Sequence, residues 1–332
     1  MEKELKDFYK KRHGGYIKKE DDERFLQELN RTLQKAEQAG YRDLPIEHPY
    51  IFVFGLPRSG TTLITQLIAH AFDIGYINNF MARFYLAPLH GIRLSQIVLG
   101  ENRETNFTSD YARTKLLTDI HEFGYFWRYW LKKEEIRGIT QADQIENEID
   151  WDGLKITLAN MQQAFGKGMV FKNIFGSYHT EQLNRVLQKV IWVYIRRDPL
   201  DSAISILEAR RKYYDDLNTW WSYMPVEYEK IKNLDYWRQI AGQVYYLRRY
   251  YNRISSSLPN VITIEYKELT ANPGAVLAAI NRKAGDWYDY SFKTVQEPPE
   301  SFPFRSYAER EELREKFKIL IKEFEQKENH HV

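Results

Sequence analysis

The sequence predicts an α/β protein in which a mainly parallel central sheet lies between helices on both of its faces, a three-layer arrangement. Short apolar runs alternate with helical patterns along most of the chain, as they do when a crossover helix follows each strand. Two of the apolar runs end in loops that lead directly into a helix, at residues 55–62 and 196–199. Because ligands of such sheets bind at the carboxyl ends of the strands, both loops are candidate anion sites.

The expected elements follow in a regular order. A helix is predicted over 21–39 within a helical N-terminal arm, 1–48. A loop that contains Pro45 and Pro49 separates this helix from the first strand at 51–54. Later strands are expected at 169–173, at 190–195 and from 261 onward. The remaining helical patterns cover 60–72, 153–165, 181–188, 199–211 and 233–257.

The composition excludes several classes of protein. A net charge of +2 indicates no general attraction to nucleic acid or to anionic membranes. The chain has no cysteine, so it can form neither disulfides nor a thiolate zinc site. The first residues are charged, no apolar leader follows them, and no run approaches the length of a membrane span. We therefore expect a cytoplasmic protein without a membrane span.

The loop at 55–62 has the sequence GLPRSGTT. A loop between a strand and a helix directs backbone N–H groups and the positive end of the helix dipole at a bound anion. The two glycines and the final hydroxyl residue match the P-loop template, but Thr61 stands where a nucleotide triphosphatase has lysine, and Arg58 lies inside the loop. Tight packing without a ligand is the alternative for this loop considered alone.

A P-loop that has lost its lysine and gained an arginine in this position resembles that of the sulfotransferases that use 3′-phosphoadenosine 5′-phosphosulfate (PAPS). Their 5′-phosphosulfate loop reads Pro-Arg/Lys-Ser/Thr-Gly-Thr-Thr, which corresponds to residues 57–62. The resemblance implies a P-loop NTPase-like sulfotransferase fold. It also implies that the donor is bound by Pro57, Arg58, Ser59, Gly60, Thr61 and Thr62.

A second segment, residues 190–205 with the sequence VIWVYIRRDPLDSAIS, resembles the 3′-phosphate motif of the same family. The resemblance implies that Arg197 and Ser205 hold the 3′-phosphate of PAPS, and it favours Arg197 over Arg196. Pro199 suits the first turn of a helix, so Ser205 lies nearly two turns further on, on the side facing back toward the strand end. For this segment alone, pairing of the arginine with a nearby aspartate is the alternative.

Three more residues are matched by their order along the chain. Lys172 corresponds to a catalytic lysine of tyrosylprotein-type members, where a cation can neutralise charge on the leaving oxygen. Tyr266 follows the closing strand and is expected near the adenine, and Arg305 falls where the family has a loop over the 3′-phosphate, although its Arg-Lys-Gly form is missing here. An exposed lysine and a tyrosine that only packs are the alternatives for the first two.

The general base is the least defined part of the predicted site. The family places a glutamate about twenty residues after the loop arginine, where this chain has Asn78 and Asn79. His121 and Glu122, beside an aromatic run, are the leading candidates for removing the acceptor's hydroxyl proton, and a half-buried aromatic cluster is the equal alternative. The candidates behind them are Asp110 and His90.

The length of 332 residues and 43% hydrophobic content suit a single sulfotransferase domain over 1–332. Residues 75–150 break the strand–helix rhythm and are interpreted as an acceptor-binding insertion, and residues 286–332 as a C-terminal loop and helix. The aromatic and basic stretch at 210–223 could line the acceptor cleft or form a lid, but an ordinary solvated face is favoured.

The resemblance implies in-line transfer of a sulfuryl group from PAPS to an acceptor hydroxyl, with release of adenosine 3′,5′-bisphosphate and without a metal. Arg58, Lys172, Glu122 and His121 are the predicted catalytic residues. The acceptor is a small-molecule, carbohydrate or peptide hydroxyl, among which the sequence does not choose. A P-loop kinase that uses Mg-ATP and a non-catalytic nucleotide- or polysaccharide-binding relative are the alternatives.

Overall fold

The structure, a computed structural model, describes residues 12–100, 102–109, 114–133 and 148–329, and within them it contains a five-stranded sheet. The strand order is β2-β3-β1-β4-β5, and every neighbouring pair is parallel. The predicted parallel α/β architecture is therefore confirmed. The strands are β1 (Tyr50–Gly55), β2 (Gly75–Tyr76), β3 (Met169–Lys172), β4 (Val190–Arg196) and β5 (Val261–Glu265).

The helices predicted between the strands are present, with ends that differ by a few residues from the expected ones. In chain order, the α-helices of the described residues are α1 (Glu20–Gln38), α2 (Thr61–Ala71), α3 (Pro88–Leu99), α4 (Gly124–Trp130), α5 (Trp151–Phe165), α6 (Thr180–Leu187), α7 (Pro199–Tyr214), α8 (Tyr228–Ile231), α9 (Tyr236–Ser257), α10 (Tyr266–Ala271), α11 (Pro273–Tyr288) and α12 (Glu311–Asn329).

The two faces of the sheet bury different kinds of side chain. One face is aromatic: the ring of Phe52 lies 4.9 Å from that of Trp192, and Phe54 lies 5.2 Å from Tyr194. Helices α5, α6, α7, α9 and α12 cover this face. The other face is aliphatic and packs against α2, α10 and α11. Burial on both faces is what a parallel sheet requires, and it confirms the three-layer arrangement.

The strand order decides where the candidate loop lies. Strand β1 is central, between β3 and β4, so its loop emerges between the carboxyl ends of these two neighbours. The segment interpreted as an insertion differs from expectation at its start, because Gly75–Tyr76 pairs with β3 as an edge strand. A two-residue strand has no periodicity from which it could be predicted. In the described ranges, no helix is both long enough and apolar enough to cross a membrane.

The burial of His179 couples the stability of the fold to pH. This residue precedes α6, is 1% exposed and meets the ring of Trp151 edge-on at 5.5 Å. Burial, and secondly the charge of Lys133, lower the pKa of His179 to about 3. An unfolded histidine takes up a proton near pH 6.5, so the stabilisation from the neutral ring is present above that pH and is lost as the pH falls toward 3.

We expect His179 to reduce the free energy of unfolding by up to about 1.4 kcal/mol per pH unit between pH 6 and pH 4. The substitution His179→Phe keeps a ring against Trp151 but cannot bind a proton, so it should flatten this part of the profile. Urea unfolding at stepped pH measures the slope, with His13→Phe at an exposed position as the control. Equal slopes for the wild type and His179→Phe would contradict the assignment.

Candidate active site

The loop after β1 borders a cavity of about 130 Å³ at the carboxyl edge of the sheet. The cavity brings together the loop, the ends of β3, β4 and β5, and three connecting segments. Its lining consists of Gly55, Leu56, Pro57, Arg58, Gly60, Thr61, Thr62, Leu63, Gln66, Phe107, Ser109, Glu122, Lys172, Ile174, Arg197, Trp221, Ser222, Tyr266, Phe302, Pro303 and Arg305.

The backbone of the loop has the form of an anion cradle. Arg58 and Gly60 have positive φ angles of 70° and 103°. Helix α2 begins directly afterward, and its N-cap residue, Gly60, has no side chain with which to cap the first amide groups. A Cβ atom at Gly60 would lie 2.7 Å from the ring of Tyr266, so the loop and this ring are in close contact. Such a turn leaves helix N–H groups available to a bound anion.

Lys172 lies at the end of β3 and is buried, with 3% of its surface exposed. Its Nζ donates a hydrogen bond to Thr62 Oγ1 at 2.8 Å and forms an ion pair with Glu122. A buried charge is tolerated when it is paired and hydrogen-bonded, and here both conditions are met. The alternative of an exposed lysine at a strand end is therefore wrong.

Of the two adjacent candidates for the base, the structure brings Glu122 into the cavity lining and leaves His121 outside it. The imidazole of His121 is at the surface, where Nδ1 accepts a hydrogen bond from the amide of Phe123 at 2.9 Å. The expectation that His121 joins the site is corrected: its imidazole is exposed outside the cavity lining, whereas the carboxylate of Glu122 lines the cavity and pairs with Lys172.

The other candidate positions have structural partners elsewhere. His90 contacts Glu37 of α1, with 2.6 Å between Nδ1 and Oε2, and does not line the cavity. Asn78 accepts hydrogen bonds from the amides of Phe80 and Met81 and so forms a local turn. Asn79 donates to the carbonyl of Leu116 at 2.7 Å. Asp110 lies outside the described residues.

Arg197 links the two predicted phosphate motifs. Its Nη1 donates to the carbonyl of Arg58 at 2.6 Å, and its Nη2 donates to the carbonyl of Arg305. The guanidinium carbon lies 4.6 Å from the centroid of the Tyr266 ring. Arg196, in contrast, pairs with Glu265. The structure thus brings Arg197 rather than its neighbour to the cavity, as the motif register predicted.

Two predicted donor-binding side chains lie behind the loop and not in the cavity lining. The hydroxyl of Ser205 accepts a hydrogen bond from Arg58 Nε at 3.0 Å. Ser59 is fully buried, and its amide donates to the carbonyl of Leu56 at 3.0 Å. Both serines are buried beneath the loop, Ser59 within the tight turn and Ser205 on α7. The expectation that they line the cavity is corrected in this respect.

Several residues of the site carried no sequence signal of their own. Gln66 lies in the lining and donates from Nε2 to Asp119 Oδ2 at 2.9 Å. Burial raises the pKa of Asp119 above its usual value. Trp221 and Ser222 also line the cavity, so part of the stretch at 210–223 is a cleft wall rather than a solvated face. The sequence does not indicate which residues of this stretch face the cavity, because that depends on how the chain folds.

A carboxylate clamp holds the C-terminal loop against α7. Asp201 is buried and accepts hydrogen bonds from Arg314 Nη1 at 2.6 Å and from the Tyr307 amide at 3.0 Å. Arg314 Nη2 also donates to Asp198 Oδ2 at 2.7 Å. Helix α12 therefore anchors the segment whose Arg305 carbonyl meets Arg197. Because Asp201 and Arg314 are far apart in the chain, no local sequence motif predicts this arrangement.

The cavity therefore combines a cradle without the P-loop lysine, a buried lysine paired with a partly exposed glutamate, and three arginines. A model of the Sulfotransferase family matches residues 49–289. The chain belongs to the sulfotransferase family. No curated protein gives a significant match to this sulfotransferase.

Three solved sulfotransferase structures align with this chain at low sequence identity. STF1 of Mycobacterium tuberculosis H37Rv is 16% identical over 80% of this chain and 76% of its own, with a TM-score of 0.49. STF9 of Mycobacterium avium is 15% identical over 89% and 72%, with a TM-score of 0.48. The sulfotransferase of Alicyclobacillus acidocaldarius is 14% identical over 83% and 96%, with a TM-score of 0.33.

Replacing Gly60 with alanine should disturb the cradle more than the same change at a glycine with free space. Gly60→Ala combines a left-handed backbone with a contact to Tyr266, so we expect it to lower the free energy of unfolding by about 1–3 kcal/mol. Gly166→Ala is the control, since Gly166 is also left-handed, with φ 66° and ψ 23°, but its Cβ would meet no atom within 4 Å. Equal losses in urea unfolding would argue against a close fit between loop and ring.

Removing the clamp should loosen the C-terminal loop. Arg314→Ala takes one cation from the buried Asp201, so we expect a loss of about 1–3 kcal/mol in unfolding free energy and faster hydrogen exchange at the Tyr307 amide. Lys318→Ala, also on α12, removes only an exposed pair with Glu315 and is the control. Unchanged protection of the Tyr307 amide in Arg314→Ala would show that Arg314 does not hold the loop.

Proposed function

We propose that this sulfotransferase transfers a sulfuryl group from PAPS to an acceptor hydroxyl and releases adenosine 3′,5′-bisphosphate. The observation that carries the proposal is the position of Lys172 Nζ, which is buried, bonded to Thr62 of the cradle and paired with Glu122. In this one arrangement, a cation lies against the phosphate loop and a carboxylate lies beside it. These are the charges that the transfer of a sulfuryl group to a hydroxyl requires.

The residues present fit a donor with several anionic groups. Arg58, Arg197 and Arg305 all line the cavity, as does the N-terminus of α2. The Nε atom of Arg197 is buried and makes no hydrogen bond among the described residues, although it lies 3.8 Å from Asp201 Oδ2 in an ion pair. A buried donor without a hydrogen bond is costly unless a ligand completes it. When bound, PAPS supplies the sulfuryl group and an anionic leaving group.

Each residue then has a defined task. Arg58, Thr61, Thr62 and the loop amides bind the 5′-phosphosulfate, and Lys172 stabilises negative charge on the leaving side. A carboxylate oxygen of Glu122 accepts the proton of the acceptor hydroxyl.

The far end of the donor has its own contacts. Arg197 binds its 3′-phosphate, and Tyr266 packs beside the adenine. Arg305 reaches the 3′-phosphate from the C-terminal loop. Ser205 acts as a positioning residue, because its hydroxyl accepts from Arg58 Nε.

A kinase function for this site has less support than sulfuryl transfer. Among the described residues that line the cavity, Glu122 alone carries a carboxylate, and that carboxylate is already paired with Lys172. Kinases of the P-loop class hold Mg²⁺ near the phosphates with an aspartate and place a lysine where this chain has Thr61. The cavity instead surrounds the phosphate loop with arginines.

Thermal-shift titration with adenosine 3′,5′-bisphosphate, run beside ADP and Mg-ATP, tests the donor. We expect stabilisation by the bisphosphate alone, approaching about 2.7 kcal/mol at a hundredfold excess over its dissociation constant. A shift with Mg-ATP alone would overturn the proposal in favour of a kinase.

The substitution Arg58→Ala should reduce sulfuryl transfer by about 10²–10³-fold with the fold intact. Arg196→Ala, which removes a pair with Glu265 outside the lining, is the matched control.

A further inference from the structure

The described lining of the cavity contains two groups of residues of different character. In the first group, Arg197 contacts the ring of Tyr266 and the carbonyl of Arg305, and the Phe302 amide donates to the carbonyl of Thr270. In the second group, the segment after Lys172 meets the segment after Trp221, since the ring of Phe175 lies edge-on to Tyr223 at 5.4 Å. Ile174, Trp221 and Ser222 therefore form a wall beside the Lys172–Glu122 pair.

This wall is fixed from behind by buried polar side chains. Gln243, fully buried on α9, donates from Nε2 to the carbonyls of Trp221 at 3.1 Å and Tyr223 at 2.7 Å. Arg210, fully buried on α7, donates from Nη1 to the carbonyl of Leu217 at 3.0 Å and to Gln239 Oε1 at 2.7 Å. The segment that presents Trp221 to the cavity is thus held at both of its ends.

Ser222 adds a backbone feature that points to function. Its φ angle is +66°, a left-handed conformation that costs a residue other than glycine free energy. Such a conformation persists where the surroundings enforce it, and these conformations cluster at ligand sites. Here Gln243 holds the carbonyls on either side of Ser222. The strained turn lets both Trp221 and Ser222 line the cavity.

We propose that this wall, formed by Ile174, Trp221 and Ser222, selects the acceptor, and that the acceptor is an uncharged compound whose hydroxyl is carried on an aromatic or apolar body. This inference rests on the proposed function. The Lys172–Glu122 pair is neutral as a whole, and the three arginines of the described lining are assigned to the donor. An anionic acceptor would lose its hydration without gaining a cation, whereas an aromatic body gains contact with Trp221.

The reaction is balanced with this acceptor. The hydroxyl oxygen forms a bond to sulfur, its proton passes to Glu122, and the bond between sulfur and the bridging oxygen of PAPS breaks. That oxygen leaves with the electron pair as part of adenosine 3′,5′-bisphosphate. No oxidant, reductant or further reactant is needed.

A matched pair of acceptors tests the charge preference. With PAPS as donor, we expect kcat/KM for 2-naphthol to exceed that for 6-hydroxy-2-naphthoate, which adds one carboxylate to the same rings, by about tenfold or more. Glucose, an uncharged but polar acceptor, should be poorer than 2-naphthol by a similar factor. Equal or better turnover of the naphthoate or of glucose would overturn the inference.

Variants of the wall test its role in selection. Trp221→Ala should raise KM for 2-naphthol by about tenfold, the equivalent of one lost aromatic contact, while the thermal shift with adenosine 3′,5′-bisphosphate stays as in the wild type. Trp221→Phe should retain most of the affinity, and Trp287→Ala, outside the cavity lining, is the control. An unchanged KM for 2-naphthol in Trp221→Ala would overturn the assignment.

The donor measurement separates the two proposals. If the wild type binds adenosine 3′,5′-bisphosphate but does not turn over 2-naphthol, the acceptor class is wrong and the donor proposal stands. If the bisphosphate does not bind, the proposed function fails and the acceptor inference fails with it.

Discussion

The buried ammonium group of Lys172 is the interaction on which the arrangement of the site depends. A charge at the end of a buried strand needs partners, and the two that it finds come from different parts of the chain: Thr62 from the phosphate loop and Glu122 from the aromatic segment. This pairing draws the segment at 114–133 to the carboxyl edge of the sheet. It brings the Glu122 carboxylate into the cavity lining as part of a pair with no net charge. The net positive charge of the described lining therefore comes from its three arginines.

Arg197 has the corresponding role between the loop and the C-terminal segment. Its guanidinium joins the loop carbonyl of Arg58 to the C-terminal carbonyl of Arg305 and lies over Tyr266. Because Asp201 and Arg314 hold that C-terminal segment against α7, this part of the cavity is supported by residues from the far end of the chain. A planar guanidinium with several donors suits this bridging position better than an ammonium group would. The loop and the C-terminal segment are thus mechanically coupled through one side chain.

The motifs with short spacing were predictable. Residues 57–62 and 190–205 are contiguous, and their geometry follows from a strand, a turn and a helix whose dihedral angles are local properties. Lys172 was found by its place in the order of strands. His121 and Glu122 could not be separated by sequence, because adjacent residues have nearly the same local context and differ only in the direction in which the fold points them. Ser205 was matched to the motif, but its hydroxyl lies beneath the loop and reaches Arg58.

The sequence by itself determined the α/β class, the parallel order of strands and helices and the phosphate loop, since alternating burial and local turn chemistry depend on neighbours along the chain. Only the tertiary structure decided which charges pair, which aromatic residues form a wall and which segments close the cavity. Those outcomes depend on contacts between residues far apart in the chain, such as Glu122 with Lys172 and Asp201 with Arg314. Burial selects these partners by the cost of leaving a charge alone, a cost that exists only once the chain has folded around it.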